Sequence, residues 1–133
     1  MWIYTGESGV EVAQGDVVSV VGTTTEYYGL TEVMADEGSV TVSGSGADVA
    51  VVALDAIPAD WENYESVVVS LSEVTFTGEL DSGDEPMTNW GIAIEDSFMD
   101  LELGTSYDSV TGVLTYNWDT YKIAPRSITD LAD

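Results

Sequence analysis

Short runs of β-branched residues, each cut off by Gly, Asp, Asn or Ser, recur along this chain at intervals of about 8–12 residues, the pattern of a β-sandwich or β-barrel. The runs fall at 1–5, 16–24, 31–34, 39–43, 50–53, 66–75, 90–95, 100–103, 109–116 and 121–124. In the second run Val18, Val20 and Gly22 alternate with Ser19, Val21 and Thr23, which predicts a strand with one buried face. A faint internal echo accompanies the runs. Val20-Val21-Gly22-Thr23-Thr24-Thr25 lines up with Val110-Thr111-Gly112-Val113-Leu114-Thr115, and an aromatic turn follows each, Tyr27-Tyr28-Gly29 and Tyr116-Asn117-Trp118. It reads as two β-hairpins of similar chemistry, with each Gly marking a bulge or tight bend.

One segment breaks the pattern. Ile57, Trp61 and Tyr64 recur at helical spacing behind Pro58 and a candidate N-cap, Asp60. This predicts one short helix near residues 58–65, one or two turns long, plugging an end of the β-structure. Residues 81–86, Asp-Ser-Gly-Asp-Glu-Pro, form the clearest loop. No Pro/Ser-rich linker divides the chain, so a single domain over 1–133 is expected.

Composition excludes much of the usual chemistry. The 133 residues hold 2 Lys+Arg, 25 Asp+Glu, no His and no Cys, for a net charge of −23. Without His or Cys there is no zinc site built on those ligands, no Ser-His-Asp or Cys-His nucleophile and no disulfide. Hydrophobic residues make up 44% of the chain, which separates it from disordered acidic tails. No apolar stretch approaches the ~18 residues of a membrane span, and the N-terminal residues do not read as a signal peptide. The acidity fits three settings: a high-salt environment, divalent-cation binding, or solubility. In each, phosphates and anionic lipid are repelled.

Three blocks carry a resemblance. The first is Gly15-Asp16-Val17-Val18-Ser19-Val20-Val21-Gly22 with Thr23-Thr24-Thr25-Glu26-Tyr27-Tyr28-Gly29-Leu30-Thr31-Glu32. The second is Ile57-Pro58-Ala59, then Tyr64-Glu65 and Val67-Val68-Val69-Ser70-Leu71. The third is Val110 to Tyr116, then Tyr121-Lys122-Ile123-Ala124-Pro125-Arg126-Ser127 and Asp130-Leu131. In this order they resemble an OB-fold accessory domain of bacterial secreted nucleases of the endonuclease/exonuclease/phosphatase type. The resemblance implies an OB-like Greek-key β-barrel joined to a metal-dependent catalytic domain in an exported multidomain protein. Such domains carry strand sequence ahead of the position of Trp2, so the first barrel strand is expected to be missing, replaced or supplied by a neighbour. The family's His-dependent catalysis is closed to a chain without His.

Candidate sites follow from residue chemistry. Lys122 and Arg126, the only cations, are candidate phosphate contacts, with a structural alternative in which Arg126 pairs with Asp130. Tyr27, Tyr28 and Trp118, at expected turn tips, are candidate stacking residues. Asp81, Asp84 and Glu85 are the best local candidates for a Ca2+ site, beside further acidic clusters at 36–37, 95–102 and 119. No carboxylate pair is marked as buried, so no catalytic residue is assigned. The expected function is a non-catalytic accessory module, extracellular or at the cell surface, with catalytic or neighbouring domains as partners and weak or absent nucleic-acid binding. The alternative is an extracellular structural or adhesive module that self-associates through an open strand edge near Trp2, with Ca2+ as a candidate cofactor.

Overall fold

The punctuated runs become strands, and the chain is all-β. The computed structural model of the protein describes residues 1–6, 10–96, 101 and 106–133, without the side chains of 36–38. Two compact units divide it, Met1–Ala50 and Val51–Asp133.

The first unit is a 3-stranded, half-barrel sheet of β1 (Trp2–Tyr4), β2 (Val17–Tyr27) and β3 (Leu30–Gly44) in the order β1-β3-β2. β1 runs parallel to β3, and β2 and β3 form an antiparallel hairpin. The expected strands 31–34 and 39–43 are one continuous strand. Between Val20 and Gly22 the ladder slips from Val40 to Ala35, so the extra residues lie on β3. The expected buried face of β2 is not found: Val20 is half-buried and every other residue of the strand is exposed. Alternation marked a strand correctly, but the strand stays exposed on both faces. Among the described residues of this unit only Leu30, Glu32 and Ala35 are buried.

The second unit holds β4 (Val52–Leu54), β5 (Val68–Leu80), β6 (Pro86–Thr88), β7 (Ala93–Ile94), β8 (Ser106–Asn117), β9 (Thr120–Ala124) and β10 (Leu131–Ala132). β5 pairs with β6, β6 with β7, β7 with β9, β9 with β8, and β8 returns to β5. That ring is a closed 5-strand β-barrel. All its pairings are antiparallel except β7–β9. β4 and β10 lie outside the ring, against β5 and β8. Val69, Leu71, Val74, Ile92, Ile94, Val110, Leu114 and Ile123 fill the interior. Each such side chain, removed from water, contributes roughly 1.5–3 kcal/mol. Trp90 closes the core with its indole N–H donating to the Ser72 carbonyl at 2.9 Å.

β6 and β10 are too short to have been anticipated, and Pro86 sits at the first position of β6, where its missing N–H is tolerated. The expected strand 100–103 lies outside the described residues apart from Leu101, which packs on the core. The expected helix is a single 3-10 turn, Trp61–Tyr64, with the Asp60 side chain accepting the Glu62 N–H at 3.1 Å. Trp61 and Tyr64 pack against the core as expected, whereas Ile57 is exposed because one 3-10 turn is too short to carry a third residue on the same face.

The sequence echo has a structural meaning. Tyr28 and Gly29 connect β2 to β3, and Trp118 and Asp119 connect β8 to β9. All four have positive φ (50°, 91°, 51° and 60°), the signature of type I′ hairpins. The two echo glycines sit where a neighbouring backbone crosses close. A Cβ on Gly22 would lie 2.3 Å from the Met34 carbonyl oxygen, and one on Gly112 would lie 2.5 Å from that of Ala124. Gly112→Ala should therefore destabilise the barrel by about 1–3 kcal/mol. Gly44→Ala, with its nearest contact at 3.7 Å, should change stability little. Urea denaturation of both variants checks this, and an unchanged midpoint for Gly112→Ala would refute the close approach.

Candidate functional site

The polar chemistry of the barrel gathers where the β5–β6 loop meets β9, the end of β7 and the tip of the β8–β9 hairpin. Asp81 organises the loop. Its Oδ1 accepts the N–H groups of Gly83 and Glu85, both at 2.9 Å, folding the chain back on itself. Its Oδ2 lies 2.8 Å from Lys122 Nζ, with both side chains 1% exposed. Burial opposes ionisation of Asp81, but Lys122 and the two amides outweigh it and hold the carboxyl below its ordinary range.

Gly83 lies against both the indole and the ammonium. A Cβ there would fall 2.9 Å from Trp118 Cδ1 and 3.0 Å from Lys122 Nζ. Ser82 Oγ donates to the Trp118 carbonyl. The hairpin tip is thus held from below while its indole remains 68% exposed. In the first unit, Tyr28 occupies the same turn position and is 84% exposed, touching Tyr27 edge-on at 4.8 Å.

Glu85 ends the loop and is buried. Its Oε2 accepts the Asp96 N–H at 3.1 Å, and its carboxyl hydrogen bonds to that of Glu95. The Asn117 amide reaches Glu95 at 3.5 Å. Burial, reinforced by the neighbouring Glu95 and Asp96 charges, pushes Glu85 up to about 7. Near pH 7 the Glu85 carboxyl is therefore about half protonated.

The sequence-derived candidates are thus sorted. Lys122 faces inward on Asp81 and Arg126 forks onto Asp130 through Nε at 2.9 Å and a terminal nitrogen at 2.7 Å. Asp130 also accepts the Arg126 backbone N–H at 2.8 Å, and the guanidinium, working against burial, keeps its carboxyl below the ordinary range. The structural alternative for Arg126 is the arrangement found. Asp81 is engaged by Lys122, Glu85 turns to Glu95, and Asp84 is exposed. Among the described residues no group of three or more acids is arranged to hold a metal ion. The acidic residues at 36–37, 100 and 102 lie outside the described side chains. Sequence reasoning missed the Glu85–Glu95 pair, whose members are ten positions apart and meet only through the β6–β7 pairing. Also among the described residues, no helix is long and apolar enough to cross a membrane. No protein-family model, curated protein or solved structure matches the chain.

Two predictions follow from this geometry. Lys122→Met leaves the Asp81 charge buried without its partner and should cost about 3–5 kcal/mol at neutral pH. Arg126→Met should cost less, because that side chain is 27% exposed. Denaturant midpoints of the two variants give the comparison, and equal losses would contradict it. Glu85 ionises near 4.5 in an unfolded chain and near 7 in the fold, so its contribution to stability is present below 4.5 and lost as pH rises to about 7. Glu85→Gln keeps a donor for Glu95 and removes the titration. Its stability advantage should grow between about pH 5 and pH 8 to on the order of 2 kcal/mol, read by urea unfolding in molar salt. A constant difference across that range would rule out the raised titration of Glu85.

Proposed function

We propose that the chain is a non-catalytic accessory module of an exported, acidic multidomain protein of the secreted-nuclease type, and that its second unit is an OB-like barrel. The supporting observation is the ring order β5-β6-β7-β9-β8, with β7 and β9 parallel and the rest antiparallel. Numbered within the ring, this is the order 1-2-3-5-4 of a five-stranded Greek-key barrel. In OB-folds the loops between the first two and last two strands flank the binding face. Here those loops are 81–85 and the Trp118 turn, which touch each other through Gly83 and Ser82.

The role is to pack beside a catalytic domain or to present substrate to it. Direct capture of nucleic acid is disfavoured by charge. The net charge is −23, and both cations are committed to carboxylates of the same chain. Stacking on Trp118 supplies about 1–3 kcal/mol per base, without the positive groove that single-strand binders add to it.

The test is anisotropy of a labelled single-stranded oligonucleotide, with Ca2+ and with chelator at matched ionic strength, alongside a nuclease assay with Mg2+ and Mn2+. No saturable binding and no cleavage are expected. Metal-dependent cleavage by the pure protein would overturn the accessory reading, and saturable binding would make the module the substrate-holding element.

A further inference from the structure

The first unit carries an inference independent of how the barrel is read. β2 pairs with β3 on one side only, and among the described residues its other edge is unpaired along all 11 residues. Proteins guard such edges with Lys, Pro, bulges or inward-pointing charges. β2 has no Lys and no Pro, and its one charged residue, Glu26, lies next to its end. Its ladder slips place the extra residues on β3. From Val17 to Thr25 it carries no charge, in a chain of net charge −23. The strand is rich in Val and Thr, and Val17, Val18 and Val21 are 48%, 42% and 72% exposed.

We propose that β2 pairs antiparallel with β2 of a second copy of this chain, across a two-fold axis at Gly22, joining two three-stranded half-barrels into one continuous sheet. Charge selects both the partner and the register. A two-fold perpendicular to the sheet keeps every residue on its own face, so it must pass through a residue position. Placed at Gly22, it pairs the strand over its full length: Val17 meets Tyr27 of the second copy, Val18 meets Glu26, Val20 meets Thr24, and Val21 meets Thr23. Placed one residue away, at Val21, it would set Asp16 against Glu26, a like-charge pair that destabilises a ladder. Parallel pairing in register would set Glu26 against Glu26. The charge-free stretch is what allows two strongly acidic chains to approach, and Gly22 leaves no side chain at the axis. The edge engaged is that of β2, whereas β1, at Trp2, is only three residues long and lies on the other side of β3.

The test is light scattering of the full chain at millimolar concentration, at low salt and in about 1 M NaCl, where repulsion between copies is screened. A dimer is expected in high salt, dissociating on dilution into low salt. The double variant Val21→Glu, Thr23→Glu changes exposed positions and places four carboxylates beside the axis. It should weaken dimerisation about tenfold or more. Because the chain has no Cys, a mixture of Val21→Cys and Thr23→Cys variants reads the register directly. The mixed disulfide should form faster than either homodimeric one, since Val21 stands opposite Thr23 and only diagonal to another Val21. A monomer throughout, a dimer indifferent to the glutamate variant, or crosslinking without preference for the mixed pair would overturn the proposal. Circular dichroism of the variants confirms that the sheet is kept.

Discussion

The second unit depends on one buried ammonium. Lys122 lies on β9 with its side chain 1% exposed, and its charge is met by Asp81 in the loop between β5 and β6. Removing two charges from water is costly, and the interior repays it only where geometry is close and the remaining oxygens are also bonded. Asp81 meets that condition by accepting two backbone N–H groups as well. The loop conformation therefore follows from the pair. Gly83 must lie against the ammonium, the indole of Trp118 must lie against Gly83, and Ser82 reaches the Trp118 carbonyl. Strand pairing closes the ring, and this contact fixes what sits at its rim.

With Lys122 and Arg126 engaged by Asp81 and Asp130, other acids take neutral donors, as Glu26 does from Thr31 and Glu62 from Tyr121, or meet water or one another. In one such meeting, burial and the neighbouring Glu95 and Asp96 charges raise the Glu85 carboxyl to about 7. The others lie mostly on the surface, where their summed field keeps phosphates away and salt weakens it. The same two facts, an absence of free cations and an excess of carboxylates, narrow the ligands the rim can take and make β2, charge-free from Val17 to Thr25, stand out from the rest of the molecule.

The sequence was informative where the signal was local. β-branched runs located most strands, the repeated Gly and aromatic turn located both hairpins, and Asp130 four residues after Arg126 suggested its ion pair. Long-range consequences were not legible. The alternation in β2 implied a buried face, yet the strand is exposed apart from half-buried Val20, because periodicity reports what a strand could bury and not whether it does. Lys122 looked like a surface cation, since its partner is 41 positions away and is brought to it only by barrel closure. The 57–65 segment had helical spacing, yet propensity over one turn cannot propagate, and it closes as a 3-10 turn.

The two hairpin tips share a feature that folding alone does not account for. Type I′ turns favour Asn, Asp or Gly at their first central position, because φ is positive there and a bulky side chain is strained. This chain places Tyr28 and Trp118 at those positions, in two separate units, and leaves both rings largely in solvent. The strain is on the order of 1 kcal/mol at each turn. Tyr28 gains one edge-on contact with Tyr27, and Trp118 gains the support of Gly83. Neither ring buries enough surface to offset its position. Each turn therefore carries its strain for a ring that stays mostly in water.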